Sequence, residues 1–258
     1  ETDWQDITLQ VSGEMIDFSE IHLETITAGS RVQIEQLRIE AKKDVLLSST
    51  ESTDTMFTLK LSIGGEEQMR QELPIRMLAY EEWAGIGIMP ELLAAFVTPN
   101  HPLLSRVITE AAKYLERWTG SSSMDAYQTQ DRNRVRMQVA SIYEALRGEG
   151  IVYSEPMASF EQRGQRIRLA DRVLTEKLGT CLDTTVLMAS CFEAIGLFPI
   201  VVIMEGHAFV GAWLNEQFYS QDVGDDASYL LKQSADGVNN LVLVESTCIT
   251  SSSPMTFD

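Results

Sequence analysis

Cys181 and His207 are the residues of this chain best suited to chemistry. Cys181 lies in Gly179-Thr180-Cys181-Leu182-Asp183, where a polar turn meets an apolar run. His207 opens His207-Ala208-Phe209-Val210-Gly211-Ala212-Trp213-Leu214, which alternates as a strand does. A thiol at a helix start and an imidazole on a following strand are two halves of a nucleophilic site. The chain has three histidines and three cysteines, so few other pairings exist.

The elements that must position the pair are legible. From Cys181 to Ile195 there is no Gly or Pro. Leu182, Val186, Ala189 and Phe192 recur at helical spacing, and Leu187, Met188 and Ile195 widen the apolar surface. A helix apolar on most sides is a buried one, and Gly196 is its stop. Cys181 then falls in the first turn, where unpaired N–H groups and the helix dipole favour a thiolate. Its pKa is expected to fall there, and further beside an imidazolium. Leu197 to Met204 reads as a buried strand and Glu205-Gly206 as a turn. The next strand places His207, Phe209, Gly211 and Trp213 on one face. An imidazole of this kind needs an orienting group. Glu245 ends the apolar strand Leu241-Val242-Leu243-Val244, where a carboxylate is costly without a partner such as the His207 ring. Asp222, Asp225 and Asp226 are closer to His207 in sequence and stay open as alternatives.

In its order of Cys, His and acid, the chain resembles the transglutaminase-like superfamily of cysteine peptidases and acyltransferases. The matching segments are Gly179-Thr180-Cys181, His207-Ala208-Phe209-Val210 and Glu245-Ser246-Thr247. The resemblance implies a papain-like Cys181-His207-Glu245 triad on an α+β fold. It departs in having Glu where Asp is usual, and in a long His-to-acid gap filled by the polar segment 215–240. A narrower resemblance rests on Pro90-Glu91-Leu92-Leu93-Ala94-Ala95-Phe96-Val97, Pro99-Asn100-His101-Pro102, Tyr127-Gln128 and Ala158-Ser159-Phe160-Glu161. These are similar to the transglutaminase-like region of large bacterial proteins that join it to a helicase and a nuclease-like domain. Some of those proteins are thought to act in defence against foreign DNA. That likeness spans roughly residues 80–258.

Composition bounds the rest. A chain of 258 residues suits two domains, and a hydrophobic content of 44% is ample for their cores. No run approaches the ~20 apolar residues of a membrane span. Glu1-Thr2-Asp3-Trp4 has neither Met nor a signal pattern, so the chain reads as a piece of a longer, cytoplasmic protein. Three unpaired cysteines fit a reducing setting. No metal is expected, since no Cys/His cluster has zinc-ligand spacing, and no cofactor is implied. The net charge of −18 divides into −10 for residues 1–88 and −8 for the remainder, which opposes direct contact with phosphate backbones.

Residues 1–88 read as a small antiparallel β-sandwich. Its expected strands are Ile7 to Val11, Val32 to Ile39, Phe57 to Ile63 and Pro74 to Leu78. Residues 89–258 read as the catalytic domain. Its helices are expected after Pro90, along the Leu103, Val107, Ala111, Leu115, Trp118 stripe, and along Val135, Val139, Ile142, Leu146. Gln162 and Gln165 are candidate oxyanion donors, with Gln165 preferred because it is nearer Cys181. Asp183 reads as a partner of the helix dipole. Arg163, Arg166, Arg168 and Arg172 read either as internal ion pairs or as a contact for a substrate carboxylate or a partner. Cys191 and Cys248 read as structural. Phe209 and Trp213 read as core, with one of them able to wall the cleft.

The expected function is therefore that of a cysteine peptidase or amidase acting on a protein or peptide through a thioester. A transglutaminase or glutamine deamidase, and a non-catalytic partner-binding or sensor module, are the alternatives. The segment 215–240 is expected to form a mobile flap over the cleft; a surface loop with a short helix around Tyr229-Leu230-Leu231 is the other reading.

Overall fold

The computed structural model describes residues 2–34, 37–155, 164–250 and 255–257. The chain divides into two compact units, Glu1–Glu82 and Trp83–Asp258. The division falls between Glu82 and Trp83, a little before the boundary expected after residue 88. The architecture is mixed α+β with antiparallel sheets.

The first unit carries β1 (Trp4–Gly13), β2 (Ser19–Ile26), α1 (Lys43–Ser48), β3 (Thr53–Ile63) and β4 (Glu66–Met77). They form one four-stranded antiparallel sheet in the order β2-β1-β3-β4. The expected sandwich is thus corrected to a single sheet. Two misread segments explain the difference. The described residues between Val32 and Ile39 form no strand, although they alternate. Pro74 to Met77 is the end of the long strand β4, which Gly64-Gly65 folds back on β3 with both glycines at positive φ. That left-handed pair suits a two-residue hairpin turn. The register Ile7↔Ile63, Leu9↔Leu61 and Val11↔Leu59 gathers the apolar side chains of β1 and β3 on one face.

The second unit carries α2 (Leu104–Thr119), α3 (Arg132–Arg147), α4 (Ala170–Glu176), α5 (Cys181–Ala194), β5 (Pro199–Met204), β6 (His207–Trp213), α6 (Ala227–Ser234) and β7 (Leu241–Val244). A turn of 3₁₀ helix at Pro90–Phe96 begins on its proline, whose lost N–H would be unpaired there anyway. The expected helical stripes lie on α2 and α3, and their inward residues Val107, Ala111, Leu115, Val139, Ile142 and Leu146 are fully buried. Burying each large aliphatic side chain contributes about 1.5–3 kcal/mol. They pack on α5, whose apolar positions face neighbours on nearly every side, and on a three-stranded antiparallel sheet in the order β7-β6-β5.

The pairing of β6 with β7 decides where the insertion lies. Trp213 is opposite Leu241 and Val210 is opposite Val244. The connection from β6 to β7 therefore leaves from the Trp213 end, whereas His207 and Glu245 lie at the other. Six residues at about 3.4 Å each separate the two ends, roughly 20 Å. The flap over the cleft is corrected accordingly: its ends are not anchored at the site. The segment is held at the far end instead. Arg132 Nη1 donates to the Val238 carbonyl (2.8 Å), and Tyr229 of α6 meets the Trp213 ring edge-on (6.3 Å). Gln217 Nε2 donates to the Tyr229 hydroxyl at 3.0 Å. Replacing residues 216–238 by a short Gly/Ser linker is expected to leave the rate of Cys181 alkylation unchanged while lowering thermal stability. Faster alkylation, read by mass spectrometry of the Cys181 peptide, would return the segment to a gating role.

Candidate functional site

Three elements converge on the thiol. The first is the start of α5. Thr180 is its N-cap, and its hydroxyl accepts from the Asp183 N–H at 3.2 Å, while Asp183 Oδ2 accepts from the Thr180 N–H at 2.9 Å. This reciprocal capping box fixes where the helix begins and so puts Cys181 in its first turn. Asp183 is fully buried and takes two more bonds, from the Arg168 N–H (2.8 Å) and from Arg168 Nη1 (3.1 Å). It is a tie between the preceding segment and the helix as well as a dipole partner.

The second element is β6, entered through Glu205-Gly206, where Gly206 has φ of +70°. A left-handed residue at that turn is natural for Gly, and it aligns Met204 with His207. The backbone N–H of Ala208 donates to the Cys181 sulfur. The thiol therefore lies against the peptide group that joins Ala208 to His207. Phe209 stacks on the His207 ring, centroids 6.3 Å apart. Trp213 is in the core at the other end of the strand.

The third element is the end of β7. His207 Nε2 and Glu245 Oε2 are 2.7 Å apart. Glu245 is held on its other oxygen, since Oε1 accepts from the Thr247 N–H (3.0 Å) and the Thr247 hydroxyl (2.6 Å). Burial works to raise the Glu245 carboxyl. The Thr247 hydroxyl, the His207 ring and the Thr247 N–H outweigh it, and the group lies below its ordinary range. An ionised carboxylate only accepts, so Nε2 carries the proton and Nδ1 is left with the lone pair. The next residue, Ser246, is fully buried and bonds into α5: its hydroxyl is 2.7 Å from Thr185 Oγ1 and donates to the Cys181 carbonyl at 3.5 Å. The acid is thereby fixed to the nucleophile helix itself.

Cys181, His207 and Glu245 are thus brought together. Asp222 and Asp225 have no contact with His207 among the described residues, and Asp226 caps α6 by accepting from the Ser228 N–H at 2.9 Å. Gln165 lies next to the site. Its Nε2 donates to Thr180 Oγ1 over a long 3.4 Å, and its buried Oε1 has no partner among the described residues. Gln162, Arg163 and the segment Ala158-Ser159-Phe160-Glu161 lie outside the described residues. Arg168 and Arg172 make internal ion pairs, with Asp183 and with Glu176 (2.8 Å) respectively. Cys191 is inside the core, where burial pushes its thiol up to about 12. His101 accepts from the Leu103 N–H at a helix-start turn.

Two contributors were missed by sequence reasoning. Ser246 carried no signal beyond its place in Glu-Ser-Thr. Tyr153 lies in a polar connection without a period, yet its hydroxyl bonds to the Cys181 sulfur. The expected low thiol pKa is corrected too. Cys181 has no exposed surface and packs with Trp83, Ile167, Leu182, Val186 and Ala208. Burial pushes the thiol above its ordinary value; the N–H groups of Ala208 and Leu182 and the Tyr153 hydroxyl only partly offset this. Desolvation of a charge outweighs a helix N-terminus here.

Among the described residues no group of three or more His, Cys, Asp or Glu could hold a metal ion, and no helix is long and apolar enough to cross a membrane. The chain matches no protein-family model, no curated protein and no solved structure.

Two pH dependences follow from these environments. Alkylation of Cys181 by iodoacetamide is expected to rise with pH through a midpoint above that of an exposed thiol. A midpoint below it would mean an ion pair already formed at rest. Glu245, with its depressed pKa, stabilises the fold above the ordinary carboxyl range and loses that contribution as pH falls through its folded value. The Tm difference between wild type and Glu245→Gln is therefore expected to be largest near neutral pH and to vanish in acid; a difference independent of pH would contradict the assignment.

Proposed function

We propose that the unit Trp83–Asp258 is a transglutaminase-like, papain-like cysteine hydrolase that cleaves a protein or peptide amide through a thioester on Cys181. The observation that carries this reading is the 2.7 Å bond from His207 Nε2 to Glu245, made beside the Ala208 N–H that holds the sulfur. It leaves Nδ1 as the basic nitrogen, on the residue next to the thiol's own hydrogen-bond donor.

In this mechanism the thiol starts protonated, in keeping with its burial. His207 Nδ1 takes the proton as the sulfur attacks the amide carbonyl. Glu245 keeps Nε2 protonated and stabilises the imidazolium that forms, as the orienting acid of a triad does. The Cys181 N–H, unpaired by its place in the first turn, is aimed at the developing oxyanion. Gln165, beside Thr180, is its side-chain helper. His207 then gives the proton to the departing amine, and water releases the acid from the thioester. An amine in place of water would make the product a cross-link, and a glutamine side chain as substrate would make it a deamidation. The resemblance further suggests a place within a larger bacterial, cytoplasmic protein carrying helicase and nuclease-type domains, where a defence role fits. The strong negative charge argues against nucleic-acid contact by this segment.

The full burial of Cys181 favours one other reading, a scaffold that binds a partner and performs no chemistry. Mass spectrometry of protein termini, cross-links and deamidated glutamines in cells carrying wild type or Cys181→Ala separates them. New termini that depend on Cys181 support the peptidase, and cross-links or deamidation the acyltransferase. No difference supports the scaffold. Once a substrate is in hand, Cys181→Ala and His207→Ala are expected to abolish turnover with the fold intact. Glu245→Gln is expected to cost less, since the nucleophile and base remain. Equal loss in Asp222→Asn or Asp226→Asn with Glu245→Gln silent would show that the acid is elsewhere.

A further inference from the structure

Tyr153 stands apart from the expected triad, yet it touches the reacting atom. It lies in the short strand Val152–Tyr153, which pairs in parallel with Leu178–Gly179, the two residues leading to the capped start of α5. The Val152 N–H donates to the Lys177 carbonyl and the Ser154 N–H to the Gly179 carbonyl, both at 2.8 Å. Tyr153 is thereby pinned from both sides opposite Gly179. Its half-buried ring packs on the cluster formed by Trp83, Ile167, Cys181, Leu182 and Ala208. Its hydroxyl is hydrogen-bonded to the Cys181 sulfur.

Resting on the acyl-transfer reading above, we propose that Tyr153 is a catalytic residue, the side-chain hydrogen-bond donor to the oxyanion of the tetrahedral adduct on Cys181. The oxygen of that adduct is attached to the carbon that the sulfur attacks, so a donor seated on the sulfur reaches it by a small turn of the hydroxyl. As the C–S bond forms, the C=O π pair moves onto oxygen and His207 takes the thiol proton. Tyr153 donates a hydrogen bond and keeps its own proton. When the adduct collapses, the pair returns, the C–N bond breaks and the amine leaves with the proton from His207. Gln165 is the weaker candidate for this role, because its amide is directed at Thr180 rather than at the sulfur. The other two donors to the sulfur are the backbone N–H groups of Ala208 and Leu182. Of the three, Tyr153 alone can be removed by substitution.

Two reactions of Cys181 separate oxyanion support from mere contact with the thiol. Alkylation by iodoacetamide displaces iodide and develops no oxyanion. Acylation by the p-nitrophenyl ester of a short carboxylic acid does develop one. Both rates are measured at the Cys181 peptide by mass spectrometry, on the full chain, with thermal unfolding as a check on the fold. Tyr153→Phe keeps the ring. It is expected to slow acylation on the order of 100-fold, the usual consequence of losing one oxyanion donor, while alkylation changes far less. Equal changes in both rates would overturn the proposal and leave Tyr153 as a residue that only tunes the thiol. Faster alkylation with unchanged acylation would overturn it in favour of a shield. A selective loss of acylation in Gln165→Leu, absent in Tyr153→Phe, would move the role to Gln165. A wild-type Cys181 that acylates no faster than Cys248 would instead refute the acyl-transfer reading itself.

Discussion

The buried carboxylate of Asp183 is the constraint on which the site depends. It has no exposed surface and accepts from the Thr180 N–H, the Arg168 N–H and Arg168 Nη1. Removing one partner of such a buried pair costs about 3–5 kcal/mol, because the remaining charge stays desolvated. The same carboxylate sets the first residue of α5. Everything chemical is arranged around that first turn: Cys181 on it, Tyr153 beside the strand that leads into it, and Ser246 bonded to its carbonyl and to Thr185 one turn on.

The surroundings give the thiol two opposing influences. Burial among Trp83, Ile167 and Leu182 favours the neutral form, while three donors on the sulfur favour the anion. Burial prevails at rest. The imidazole, meanwhile, is oriented by Glu245 with its proton on Nε2 and its lone pair on Nδ1. A neutral thiol beside a correctly oriented base is ready for general-base attack, and it is protected from oxidation and stray electrophiles while buried. The antiparallel sheet adds a division of labour. One end of β6 carries His207, and the other end carries the insertion, clamped by Trp213, Tyr229 and Arg132.

What the sequence made legible was local or periodic. The α5 helix, the turn at Glu205-Gly206, and the partnership of Glu245 with His207 could be read because each rests on spacing or on the cost of a lone charge at a strand end. The stripes of α2 and α3 were readable for the same reason. The strand β4 was half missed because its first residues, Glu66 to Glu72, are exposed and show no alternation. Residues 32–39 alternate yet form no strand, since alternation alone supplies no pairing partner. The insertion was placed at the wrong end of the hairpin because its sequence position between His207 and Glu245 hides the direction of the strands. The thiol pKa was misjudged because burial is a property of the assembled cluster, whereas a helix N-terminus can be read from a few residues. Tyr153 and Ser246 became visible only through contacts across 28 and 65 positions of the chain.

The central claim is that Cys181 and His207 act as one unit, with the Nδ1 side of the ring serving the thiol and the Nε2 side serving Glu245. The most direct measurement is ¹⁵N NMR of the His207 ring in wild type and in Cys181→Ala. The account predicts that the Nδ1 resonance moves when the thiol is removed while the Nε2 proton remains in its bond to Glu245. An Nδ1 resonance indifferent to Cys181 would contradict it.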